Sequence, residues 1–138
     1  MSVENKALVR RVFEEVFSRK RTGLIASTYA PDCKGSSPDG RFQGREEFTS
    51  MFEKYAYAFP DFRIDIVYMI AEDDRVAVCY SFVGTNAGEW SGLPATGKVV
   101  RAAGFVVCRI VNQRIVEQHF MWDNSVPKSE MRALAHGR

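Results

Sequence analysis

The sequence predicts an α+β fold in which three N-terminal helices pack on one face of a curved antiparallel sheet. Three observations carry this. Apolar residues recur at three- and four-residue spacing from Leu8 to Phe59, and the period changes to two from Phe62 onward. The later apolar runs are long and are joined by turns or a glycine-bearing loop, so helices and strands are segregated along the chain. The chain has 138 residues, 46% of them hydrophobic and 26% charged, which suits a single packed unit. No internal repeat, low-complexity stretch or linker interrupts it, so residues 1–138 read as one domain.

Leu8, Val12 and Val16, with Val9, Phe13 and Phe17 beside them, form an apolar stripe opposite Arg10, Arg11, Glu14 and Glu15. That pattern predicts an amphipathic helix from about Val3 to Arg19. The basic run Arg19-Lys20-Arg21 suits the negative end of its dipole. A short second helix follows through Leu24, Ile25 and Tyr29, stopped by Pro31. Residues 31–44 carry Pro31, Gly35, Pro38, Gly40 and Gly44 and read as loop with room for one short strand. A third helix starts after Gly44, shows Phe48, Met51, Phe52, Tyr55 and Phe59 as its buried stripe, and ends at Pro60. Phe62, Ile64, Ile66, Tyr68 and Ile70 then alternate as a strand, and Asp73-Asp74 turns into a second through Val76, Val78, Tyr80 and Phe82. Residues 84–97 form a long loop. Lys98–Ile110 is strand again, Asn112-Gln113 turns it, Ile115–Trp122 completes the sheet, and a short helix follows Ser125.

The net charge of +2, from 19 basic and 17 acidic residues, gives no electrostatic reason to expect nucleic acid or an acidic membrane as partner. Cys33, Cys79 and Cys108 lie far apart, which favours reduced thiols and a cytoplasmic setting. Residues 1–6 lack the apolar segment of a signal peptide, and the longest uncharged apolar stretch, Ala102–Cys108, is far short of the ~18–20 residues that span a bilayer. Neither a glycine-rich phosphate loop nor a nucleophile elbow is present. With only His119 and His136, a histidine-rich metal site is ruled out, and no metal is expected.

Along the last strand Glu117, His119, Met121 and Asp123 point one way, and Val116, Gln118, Phe120 and Trp122 the other. Its neighbour is largely apolar on both sides, although helices cover only one. The outer sheet face is therefore expected to pair with a second copy as a homodimer. If the face of His119 and Asp123 lies under the helices, it brings an imidazole and a carboxylate to an interior lined by Met51, Tyr55, Phe59, Tyr80, Phe82 and Met121. Burial there raises a carboxylate's pKa toward the range useful for proton transfer. Four strand residues span about 13 Å, so His119 and Asp123 would touch different parts of one extended ligand. Trp90, in Gly88-Glu-Trp-Ser-Gly-Leu-Pro94, is placed to close over such a pocket. Plainer readings stand beside these. Asp123 suits a turn or helix cap next to Asn124 and Ser125, His119 a satisfied sheet position, and Phe120 and Trp122 packing between two copies.

Several segments carry a resemblance. They are Asn5-Lys-Ala-Leu-Val-Arg-Arg-Val-Phe-Glu-Glu-Val-Phe17, Tyr29-Ala-Pro-Asp32, Ala58-Phe-Pro-Asp-Phe62, Ala71-Glu-Asp-Asp-Arg-Val-Ala-Val78, Gly92-Leu-Pro-Ala-Thr-Gly97 and Arg114-Ile-Val-Glu-Gln-His-Phe-Met-Trp-Asp123. In this order, over nearly the whole chain, the sequence resembles the SnoaL-like polyketide cyclase family of the nuclear-transport-factor-2-like superfamily. The resemblance implies a cone-shaped curved sheet, antiparallel or mixed, with the three helices on its concave face. It also implies ring closure of an aromatic polyketide, a hydrophobic small-molecule substrate, by an intramolecular aldol condensation that needs no metal and no cofactor. The family's acid/base aspartate ends the final strand and falls on Asp123, with His119 placed to donate to a substrate oxygen. Two alternatives come from other relatives: polyketide hydroxylation with a reductase partner, and small-molecule binding without catalysis. Where the steroid-isomerase branch has its catalytic Asp and Tyr, this chain has Gly35-Ser36 and Val12, against that chemistry.

Overall fold

A computed structural model of the chain describes residues 2–90 and 92–122. Helix α1 (Ser2–Arg11) runs directly into a π-helical stretch (Val12–Ser18), and a 3-10 turn (Thr22–Leu24) leads into the short α2 (Ile25–Thr28). Strands β1 (Tyr29–Ser37) and β2 (Gly40–Gln43) precede helix α3 (Arg45–Ala58). Four long strands follow: β3 (Arg63–Glu72), β4 (Arg75–Thr85), β5 (Val99–Val111) and β6 (Arg114–Trp122). The expected helix after Ser125 lies outside the described residues.

The six strands form one sheet in the order β2-β1-β6-β5-β4-β3. Only β1 and β6 run parallel, so the sheet is mixed, and the three helical segments lie on its inner side as an α+β cone. Register shifts between Ile66 and Tyr68, and between Arg109 and Ile110, bend the strands where an extra residue is inserted. The turn at Asn112-Gln113 has both residues at positive φ, the backbone of a two-residue hairpin whose twist matches its strands.

Two local expectations are corrected. The first helix changes geometry at Val12, where wider turns let Val12, Phe13, Val16 and Phe17 all face the core; none exceeds 3% exposure. Residues 31–44, read as loop, contain two strands. Pro31 sits inside β1 instead of ending a helix, and it falls where the β1–β6 register slips, so no ladder hydrogen bond depends on the N–H it lacks. Tyr29 accordingly opens β1, and α2 stops at Thr28.

Alternation decides the rest. Val76, Val78 and Tyr80 of β4, Val100, Val106 and Cys108 of β5, and Gln118 and Phe120 of β6 point inward and are buried. They meet Phe13 and Phe17 from the first helix and Phe48 and Phe52 from α3 in one cluster. Phe48 stacks on Tyr29 with ring centres 4.2 Å apart and meets Phe42 edge-on at 5.2 Å. Deep in the cone the Tyr29 hydroxyl donates to Gln118 Oε1 at 2.6 Å, and Gln118 Nε2 donates to Cys108 Sγ at 3.3 Å. These bonds let a glutamine sit where no surface of it is exposed. Tyr29→Phe strands the Gln118 carbonyl oxygen, and equilibrium denaturation should show a loss of about 1–3 kcal/mol with no change of fold by circular dichroism.

Candidate active site

Between α3 and the inner face of the sheet lies a cavity of about 90 Å³ whose open wall is apolar throughout. Helical spacing brings Met51, Phe52 and Tyr55 to one side of α3, and Phe59 and Phe62 follow where the chain leaves it. Strand alternation adds Tyr80 and Phe82 from β4, and Phe120 and Trp122 from β6. The aromatic rings pack edge-on or offset: Phe59 against Phe82 at 5.3 Å, Tyr55 against Trp122 at 5.9 Å, and Phe120 against Trp122 at 6.2 Å.

Trp90 covers the cavity from the β4–β5 loop. The residue is 8% exposed, and its ring meets Phe59 edge-on at 5.4 Å. The loop is pinned rather than free. Asn86, fully buried at its base, donates through Nδ2 to the Gly88 carbonyl at 2.7 Å and accepts from the Thr96 N–H at 2.8 Å. Gly97 N–H closes onto the Asn86 carbonyl at 2.8 Å, and Trp90 and Leu93 exchange both backbone hydrogen bonds. The N–H groups of Ala87 and Gly88 both reach the carbonyl of Ala58, which ties the lid to the end of α3.

At the mouth, Tyr55 spans two environments. Its ring lines the cavity, and its hydroxyl donates to Asp39 Oδ2 at 2.6 Å in an open groove beside α3. Burial, then the Asp39 carboxylate, holds the Tyr55 phenol far above its ordinary pKa, and the phenol of Tyr80 adds to the same shift. Burial alone does the same for Tyr80, and burial is the main cause for Tyr29. The sequence reading missed Asp39. It sits two residues past the end of β1 in the turn Ser37-Pro38-Asp39-Gly40, where an aspartate has an ordinary turn-forming reason to be.

Of the residues expected at the site, Met51, Tyr55, Phe59, Tyr80, Phe82 and Trp90 come together around the cavity. Phe120 and Trp122, read as packing between copies, also line it. His119 and Met121 do not. Both stand on the outer face of β6, where the His119 side chain is 49% exposed and Met121 is 69% exposed. His119 Nδ1 is 2.8 Å from Ser36 Oγ and its Nε2 is 3.1 Å from Glu117 Oε2. Glu117 is held below the usual carboxylate range by His119 first and by Arg109 second. The physical reason is the one-residue phase of the strand: the face with Gln118, Phe120 and Trp122 went under the helices, and the face with Glu117 and His119 went out. The charge on Glu117 was the signal available in the sequence. Asp123 lies outside the described residues. No cluster of metal-ligating side chains occurs among the described residues.

An α+β cone with a helix-roofed aromatic cavity defines a nuclear-transport-factor-2-like protein. The sequence profile of the SnoaL-like polyketide cyclases matches residues 7–129, and the chain belongs to that family. AclR of Streptomyces galilaeus, a candidate hydroxylase, has a similar structure with 25% identity, a TM-score of 0.83 and coverage of 96% of this chain and 98% of that one. A candidate SnoaL-like polyketide cyclase from Jannaschia sp. CCS1 is 18% identical, with a TM-score of 0.88 over 99% and 95% of the two chains. IdmH of Streptomyces antibioticus, a candidate polyketide cyclase, is 20% identical, with a TM-score of 0.80 over 93% and 98%. No curated protein matches the chain in sequence. Among the described residues, no helix is long and apolar enough to cross a membrane.

The three raised phenols make an alkaline prediction. A phenol whose pKa rises on folding keeps its proton where the unfolded chain has lost it, so its stabilising effect is whole below about pH 10 and is lost as pH climbs above that. Absorbance near 295 nm should show Tyr29, Tyr55 and Tyr80 still protonated in the native protein at pH 10–11. They should ionise together with unfolding on further titration; early ionisation of all five tyrosines would contradict the geometry.

Proposed function

We propose that the protein is a cofactor-independent polyketide cyclase that closes a ring by an intramolecular aldol reaction in the aromatic cavity. The observation that carries this reading is the apolar chamber under Trp90, in a chain of the SnoaL-like family. Such walls favour a flat, conjugated ligand and exclude water from its reacting carbons. In the reaction, a carboxylate takes a proton from a carbon beside one carbonyl. The resulting enolate carbon bonds to a second carbonyl carbon, and the alkoxide formed there takes up a proton. The sum is redox-neutral, and loss of water is a separate later step. Asp123 is our choice for the carboxylate on the family resemblance alone. His119 faces away from that cavity and has no place in this scheme as an interior donor. The unpaired thiols of Cys33, Cys79 and Cys108 fit a reducing, cytoplasmic setting.

Asp123→Asn should lower turnover of a polyketide diketone by about 10²–10⁴-fold while ligand binding and melting temperature stay near wild type. Unchanged turnover removes the mechanism. The likeness to AclR favours hydroxylation as the second reading. Product mass separates the two: an unchanged mass or a loss of water fits ring closure. A gain of one oxygen that requires dioxygen and a reductant fits hydroxylation.

A second copy of the chain is our proposed partner for the outer sheet face. Register aligns Tyr68, Cys79, Phe105 and Met121 in one row across four strands, and Ile70, Ala77 and Val107 in the next. Tyr68, Ile70, Phe105, Val107 and Met121 are exposed. Charges of both signs flank the rows, with Glu72, Arg75, Arg109 and Glu117 at one end and Arg63, Asp65 and Arg101 at the other, so a two-fold contact can match unlike charges. Light scattering should report a dimer for the wild type and a monomer for Phe105→Glu.

A further inference from the structure

Two buried side-chain polar atoms among the described residues lack a hydrogen-bond partner, Glu15 Oε2 and the Tyr80 hydroxyl. Glu15 Oε2 still faces Arg21 at 3.2 Å, so its charge is balanced. Tyr80 has no such relief. It is 3% exposed, its ring lines the cavity, and Phe13 and Phe120 pack against it with ring centres 6.1 and 6.3 Å away. An unsatisfied hydroxyl in an apolar core is a standing penalty that phenylalanine would avoid.

A second feature points to the same atom. Gly104 lies directly across from Tyr80 in the β4–β5 register, in the middle of the longest strand. A Cβ there would stand 2.7 Å from the Tyr80 hydroxyl oxygen and 2.5 Å from the Met121 carbonyl oxygen. The strand omits a side chain where one would press on this hydroxyl, a common mark of close approach within a sheet.

We propose that the Tyr80 hydroxyl donates a hydrogen bond to the carbonyl oxygen of a ring-bearing ketone in the cavity, and so selects oxygenated rings over hydrocarbons and sets which carbonyl is polarised. This rests on the cavity being a ligand site. An engineered apolar cavity of about 150 Å³ takes up benzene. The present one, at about 90 Å³, is smaller, so a ring that enters pushes its wall outward. The Tyr80 hydroxyl stands within that wall without exposed surface of its own. Once a ketone oxygen reaches it, the bond strengthens as that oxygen gains charge in enolate formation, which is the way a preorganised donor lowers a barrier.

Acetophenone and α-methylstyrene test this, because they share a shape and differ in carrying C=O or C=CH₂. Calorimetric titration of Tyr80→Phe should show acetophenone weakened about tenfold and α-methylstyrene within about twofold of wild type. The variant's melting temperature should rise by a few degrees, since the unpartnered group is gone. Retained alkene binding also shows that the variant is folded. Equal effects on both probes, or undiminished acetophenone binding, overturn the assignment of Tyr80 and leave the cavity as a ligand site. Failure of both probes to bind wild type overturns the cavity reading and this inference with it.

Discussion

The pairing of β6 with its two neighbours fixes what this protein presents to a ligand. Antiparallel bonds to β5 and parallel bonds to β1 hold β6 in one phase from Glu117 onward, past the register shift that follows Ile115, and a slip by one position would exchange its two faces. In the observed phase Gln118, Phe120 and Trp122 face the helices, and Glu117, His119 and Met121 face away. The inward glutamine is satisfied by Tyr29 and Cys108, so it adds polarity to the depth of the cone without leaving an open hydrogen-bonding group. The two inward aromatics then form one wall of the cavity. Phase, an aromatic wall and an apolar interior are thus links of one chain of cause.

Much of this was legible before any coordinates. Alternation from Phe62 onward located the four long strands to within a few residues, because those strands combine period two with short polar turns at Asp73-Asp74 and Asn112-Gln113 and a glycine-bearing loop between β4 and β5. Helix α3 was equally plain from its stripe and from Pro60. Six of the pocket residues could be named: Met51, Tyr55, Phe59, Tyr80 and Phe82 because they are large and lie on those stripes, and Trp90 because it stands in a glycine-bearing loop. What failed was information that pattern does not hold. Period two sorts residues into faces without saying which face meets the helices. Gly- and Pro-rich segments read as loops, although β1 finds its partners in β6, some 80 residues away, and no local signal marks that pairing. Asp39 was invisible for the same reason, since only the fold brings it to Tyr55.

The cavity's chemistry is concentrated at its edges. Rings of ten or more residues supply contact area and exclude water, which is sequence-tolerant work that several apolar residues can share. Direction comes from few polar atoms: the Tyr55 hydroxyl shared with Asp39 at the mouth, and the Tyr80 hydroxyl within the wall. Both phenols are kept neutral by burial, so each acts as a donor whose protonation does not vary across the physiological range. Under the proposed function, a site arranged this way would bind flat molecules by area and pick among them by where their oxygens fall.

Size places a further demand on such a site. The closed interior is too small for a polycyclic ligand, yet the lid that covers it is anchored by Asn86 and by backbone bonds to Ala58. Entry therefore depends on the aromatic side chains more than on the loop backbone. Met51, Tyr55 and Trp90 border both the interior and the outer groove, and they are where the two spaces meet. Met51 and Tyr55 are only partly buried, and methionine adapts its shape at low energetic cost. One ring can seat against Tyr80 while the remainder of an extended ligand stays in the groove beside Asp39. For the proposed cyclase, that division would let a small interior act on one end of a molecule larger than the cavity.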